Sequence, residues 1–92
     1  MKILTLYEFL SKLHRLGITI VIDGYPNDPG IIAEKVKYPD MDVYPSELLT
    51  TMYEGGIRFF RWEAGEAVYL KPHEILRRKK IVKYKGLFLV KK

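Results

Sequence analysis

Between Thr5 and Asp23 the apolar pattern changes period, and that change limits what the chain can fold into. Leu6, Phe9, Leu10, Leu13 and Leu16 recur at the spacing that lines one face of a helix. Thr5-Leu6-Tyr7-Glu8 precedes them with the order of a capping box, in which a hydroxyl and a carboxylate each satisfy an orphan backbone N–H. Gly17 supplies the left-handed stop. Ile18 to Asp23 follows at once, a β-branched run that belongs in a strand. A helix over 6–16 that passes directly into a strand requires a mixed fold with one helix face against a sheet.

The rest of the chain extends this pattern. Gly24 to Gly30 is a turn cluster. Asp28 and Pro29 have the order of an N-cap and first helical residue, which favours a short helix over Ile31 to Tyr38; weaker alternation through Ile32, Glu34, Val36 and Tyr38 is the competing strand signal. Tyr38 to Asp42 reads as a loop, and Pro45 to Tyr53 as a helix ended by Gly55-Gly56. Ile57 to Glu63 and Glu66 to Lys71 form a hairpin around Ala64-Gly65. Pro72 to Lys80 supplies one or two helical turns. Ile81 to Tyr84 and Leu87 to Val90 give a final basic hairpin around Lys85-Gly86. No internal repeat, low-complexity stretch or long linker is legible. The expectation is one α+β domain spanning residues 1–92, in the order α-β-α-α-β-β, with a C-terminal basic β-hairpin extension.

That order, over residues 5–71, resembles a winged helix-turn-helix domain. The resemblance implies that Pro45 to Gly55 is the recognition helix, yet its polar residues are Ser46, Glu47, Thr50, Thr51 and Glu54, with no Arg or Lys. The wing, Glu63-Ala64-Gly65-Glu66, is acidic as well. Duplex phosphate repels both. The first half is also similar to a helix–hairpin–helix docking module, with Gly17 to Gly24 as its first strand.

Chemistry-bearing patterns are few. The chain has no cysteine, which excludes disulfides, thiolate nucleophiles and cysteine-bound zinc. Asp40-Met41-Asp42 has the spacing of a metal-binding pair, but turn-forming aspartates explain it, and no acid-x-Lys follows to complete a nuclease site. His14 and His73 are the only histidines; His14 near a helix C-terminus complements the dipole. His73-Glu74 lacks the second histidine of a zinc motif. Ser11 and Ser46 have no nucleophile context. The expectation is a protein that is not an enzyme and uses neither metal nor cofactor.

The charge is uneven. Met1 to Gly56 carries five bases against eight acids, a net of −3, and Ile57 to Lys92 carries eleven against three, a net of +8. Arg77-Arg78-Lys79-Lys80, Lys83 and Lys85 form a basic segment, and aromatics interleave it at Tyr69, Tyr84 and Phe88, and upstream in Arg58-Phe59-Phe60-Arg61-Trp62. Lys and Arg displace the counterions of a phosphate backbone, and aromatic faces stack unpaired bases. Dipole complementation and edge-strand protection would explain the same lysines without a ligand. The expected function is nucleic-acid binding through Arg77, Arg78, Lys79, Lys80, Lys83, Lys85 and Tyr84. The alternative is a protein-interaction module or inhibitor that uses an apolar sheet face or the acidic first half.

Large apolar groups on both faces of Ile57 to Trp62 require helices on both sides of the strand or self-association, so a homodimer is a further expectation. No membrane helix or signal segment is read, and an intracellular place is expected. Absence of glutamine, a single asparagine and abundant lysine and glutamate suggest a thermophilic source, an archaeon or its virus.

Overall fold

The computed structural model describes residues 3–83, with side chains as far as Arg77. The chain runs β1 (Leu4–Thr5), α1 (Leu6–Arg15), β2 (Thr19–Ile22), β3 (Tyr25–Asn27), α2 (Pro29–Val36), β4 (Asp42–Val43), α3 (Pro45–Glu54), β5 (Arg58–Glu63), β6 (Glu66–Leu70) and α4 (Pro72–Lys83). It is an α+β domain. A four-stranded antiparallel sheet has the order β3-β2-β5-β6, and β1 and β4 form a separate two-stranded ribbon. The expected helix–strand order holds, with three short strands added.

Local chemistry accounts for the elements. The α1 capping box is complete: the Thr5 hydroxyl accepts from the Glu8 N–H, and the Glu8 carboxylate accepts from the Thr5 N–H at 3.0 Å. Phe9, Leu10 and Leu13 are the buried face it presents. Asp28 caps α2 with Pro29 in the first turn, which decides residues 31–36 as helix over strand. Asp40 is a turn aspartate. Its carboxylate accepts from the Tyr7 N–H at 3.0 Å and from the Met41 N–H at 2.9 Å, tying the loop to the start of α1. No strand is expected at Tyr25–Asn27, yet Asp23-Gly24 is a strong hairpin dipeptide, and both its residues have positive φ, at 51° and 80°.

The core is one cluster. Phe9, Leu10, Leu13, Ala33, Leu49 and Ile75 from the helices meet Ile20, Phe59 and Leu70 from the sheet. All four helices therefore cover one face of the sheet, and the other face stays open. This answers the two-faced strand: Phe59 is fully buried, while Trp62, on the opposite face, is 64% exposed.

Several features depart from the sequence reading. The first is α4. Residues 72–83 are one helix, so Ile81 to Lys83 do not begin a hairpin strand. The Arg-Arg-Lys-Lys run consists of good helix formers, Glu74 lies in the first turn and nothing interrupts the helix before Lys83. Tyr84 to Lys92, with Lys85 and the expected second strand, lie outside the described residues. The resemblance to a helix-turn-helix is also limited. That motif joins its helices by three or four residues, whereas β4 intervenes between α2 and α3, and α2 packs against α1.

The second departure is an internal repeat. The chain is two β-α-β-β-α halves, 3–36 and 42–83, in which Thr5 matches Tyr44, Gly17 matches Gly56, Ile18 matches Ile57 and Pro29 matches Pro72. The turn pairs Asp23-Gly24 and Ala64-Gly65 also match, with φ of 51° and 80° against 53° and 80°. Strand registers show how the halves join. Ile20 lies opposite its own counterpart Phe59, Thr19 opposite Phe60 (the counterpart of Val21), and Val21 opposite Arg58 (the counterpart of Thr19). In the ribbon Leu4 lies opposite its counterpart Val43. These are the reciprocal contacts of a two-fold interface, formed within one chain.

Among the described residues no helix is long and apolar enough to cross a membrane.

Candidate functional site

Strand alternation sorts the β5–β6 hairpin by chemistry. Arg58, Phe60 and Trp62 point to the open face of the sheet, and Phe59, Arg61 and Glu63 to the other. Across from them, Tyr69 pairs with Phe60, Ala67 with Trp62, and Glu66 with Glu63. The open face thus carries three aromatic rings, and the acids at the hairpin tip belong to the opposite face. Glu63 lies 3.4 Å from the Arg61 Nε.

The rings are held in place. Phe60 is mostly buried and meets Trp62 edge to face, with centroids 5.6 Å apart and planes at 86°. It meets Tyr69 at 5.7 Å with planes at 46°. Trp62 and Tyr69 remain 64% and 62% exposed. At the root of the hairpin the Arg58 guanidinium lies 4.3 Å from the Tyr53 ring centroid. Its Nη1 donates to the carbonyl of Tyr53 at 2.8 Å and to that of Ile57 at 3.1 Å, a cation at the C-terminus of α3. Arg58, Tyr53, Tyr69, Lys71 and Glu74 line a shallow cleft there.

Lys71 precedes Pro72 and occupies the N-cap of α4: the N–H groups of Glu74 and Ile75 donate to its carbonyl, and its own N–H donates to the Glu74 carboxylate at 3.1 Å. From there α4 carries the basic run. Arg77 is exposed, and Arg78, Lys79, Lys80 and Lys83 belong to the same helix. Tyr84 and Lys85 lie outside the described residues. The structure thus gathers five of the seven expected contact residues on one helix. The sequence signal at the exposed Trp62 is its two-residue alternation with Phe60, which by itself reads equally as core.

The first half has a matching cleft, lined by Tyr7, Ser11, His14, Asp28, Gly30 and Glu34. His14 matches Tyr53 in the repeat, and Asp28 matches Lys71. The His14 Nδ1 lies 2.7 Å from the Asp28 Oδ1, which also accepts from the Gly30 N–H at 2.7 Å. The Gly30 N–H, foremost, and the hydrogen bond to His14 hold the Asp28 carboxyl below its usual range. A Cβ on residue 30 would lie 2.9 Å from the His14 Nδ1, so glycine permits the ring to sit there. Desolvation acts to raise the Asp40 carboxyl, but the hydrogen bonds from Tyr7 and Met41 outweigh it and the net shift is downward. His14 and His73 stand on different halves, each exposed. Among the described residues no cluster of histidine and carboxylate side chains is arranged to hold a metal ion. Compared with protein-family models, curated proteins and solved structures, the chain matches none.

Proposed function

We propose that the protein binds nucleic acid without catalysing a reaction, and that α4 supplies its phosphate contacts. The observation that carries this reading is the concentration of Arg77, Arg78, Lys79, Lys80 and Lys83 on one helix. Dipole complementation accounts for the last turn of such a helix, but not for a run that begins at its middle. Each Lys or Arg that neutralises a phosphate releases counterions, so affinity falls with salt in proportion to the number of contacts.

The test is fluorescence anisotropy at several salt concentrations. Replacing Arg77, Arg78 and Lys79 by Ala is expected to flatten the plot of log affinity against log salt by roughly two to three on duplex DNA. All sequences should weaken alike, because phosphate contacts carry no direct base information. Unchanged slopes would make the run a solvated face.

One observation favours a second reading, a protein-interaction module. The open sheet face presents exposed Trp62 and Tyr69, and the outward surface of α3 carries Glu47 and Glu54. A homodimer through the sheet face would show as a doubled mass in light scattering at micromolar concentration. A monomeric mass would remove that form of the reading.

A further inference from the structure

The two halves of the repeat fold on the same plan, so whatever the second adds is not required by the plan. β5 has six residues where β2 has four, and β6 has five where β3 has three. The added segment includes Trp62, which points away from the core. Beneath it, Arg58 and Phe60 replace Thr19 and Val21 of the first half. At the N-cap the second half has Lys71 where the first has Asp28. A lysine there opposes the helix dipole and forgoes the side-chain cap that aspartate makes in α2. Local rules broken without a structural gain mark functional positions.

We propose that this open face binds single-stranded nucleic acid, with Trp62 and Tyr69 stacking unpaired bases and Arg58 and Lys71 contacting the backbone beside them. The inference rests on the nucleic-acid reading above and names its substrate class. Trp62 and Tyr69 are diagonal neighbours across the β5–β6 pair, since Trp62 lies opposite Ala67 and Tyr69 opposite Phe60. Such positions stand roughly 7–8 Å apart. Bases in a duplex strand repeat every 3.4 Å or so, so the two rings suit bases that have been drawn apart. Phe60 is in ring contact with both, which lowers the ordering cost of binding.

Charge agrees with this assignment. Glu63 and Glu66 project to the far face, and Lys71 has no ion-pair partner among the described residues. Among the described residues only Nη1 of Arg58 donates a hydrogen bond, and the guanidinium lies over the Tyr53 ring, which leaves other N–H donors for phosphate. The basic run belongs to α4, the helix that begins directly after Lys71.

Trp62 is the only tryptophan, so emission excited where tyrosine does not absorb reports this face alone. The wild-type protein is titrated with an oligothymidylate and with a duplex of the same length. Emission should be quenched by the single strand, which should bind more tightly than the duplex. Tyr69→Ala, at an exposed site, should keep the wild-type unfolding midpoint and lose roughly five- to hundredfold in single-strand affinity. Its duplex affinity should stay the same. Lys71→Ala should reduce the single-strand salt slope by about 0.7.

Binding seen by anisotropy with no quenching, or equal losses on both polymers, overturns the single-strand assignment and leaves the nucleic-acid reading standing. Failure of both polymers to bind overturns both. Emission that changes with protein concentration alone, and not with oligonucleotide, assigns the face to a second copy of the chain.

Discussion

The two halves of this chain share a backbone plan and little chemistry. Each has a helix ended by glycine, a hairpin turned by two residues at positive φ, and a second helix opened by proline. The first half spends its polar residues on its own structure: Glu8 completes a capping box, and Asp28 caps α2 and holds His14. The second half leaves cations and aromatic rings in the equivalent places, with Lys71 at a cap and Trp62 on an added stretch of hairpin. A shared plan with unequal local optimisation separates what the fold needs from what the molecule does.

The strongest way to break the comparison is at the junction of the halves. Phe59 is fully buried opposite Ile20, its counterpart. Phe59→Ala should cost about 3–5 kcal/mol in denaturant unfolding. A loss near zero would mean that the sheet does not join the halves.

Next in size are the matched helix residues. Leu10 and Leu49 are equivalent in the repeat and both buried. Leu10→Ala and Leu49→Ala should each cost roughly 2–5 kcal/mol. A large loss at one and none at the other would show that one half folds without the other's support.

The caps should give smaller effects of opposite sign. Asp28→Ala should destabilise by about 0.5–2 kcal/mol. Lys71→Asp installs the missing cap and should raise stability by up to about 1 kcal/mol, while weakening single-strand binding. Stability and binding that move together at residue 71 would contradict the functional reading of that lysine.

The smallest effect is in pH. The folded Asp28 carboxyl is lowered from 3.8 by the Gly30 N–H and by His14. Its contribution is therefore present above pH 3.8 and lost as pH falls through the lowered value. The stability gap between wild type and Asp28→Ala should narrow as pH falls below 3.8. A gap that persists into strong acid would show that the cap does not depend on the carboxylate's charge.

Residues that determine their own conformation were legible in sequence. The capping box at Thr5, the stop at Gly17, the helix opened by Pro45 and the hairpin at Ala64-Gly65 are local signals, and each element formed within a residue or two of its expected bounds. Contacts between distant residues were not legible. The ribbon of Leu4–Thr5 with Asp42–Val43 is too short to carry a period of its own. The repeat is not legible in the sequence because what recurs is burial and backbone conformation. Leu10/Leu49, Gly17/Gly56, Ile18/Ile57 and Pro29/Pro72 are identities scattered among mismatches, and the longer second hairpin shifts the register between them. At the candidate site the basic run was plain from composition, but its placement on a helix was not. The exposure of Trp62 depends on which sheet face the helices cover, and no residue near it encodes that.

The reciprocal pairing of β2 with β5 has a consequence for concentration. In two separate molecules such an interface would form only as fast and as fully as dilution allowed. Here the segment between α2 and β4 tethers the partners at an effective concentration that short linkers place in the millimolar range. Association of the halves is then indifferent to how much protein is present, and a weak seam is enough to hold them together. Either half can change one side of the seam without having to match a second, identical change on the other. That freedom, which an obligate symmetric dimer lacks, is the setting in which one half can remain a scaffold while the other acquires a surface.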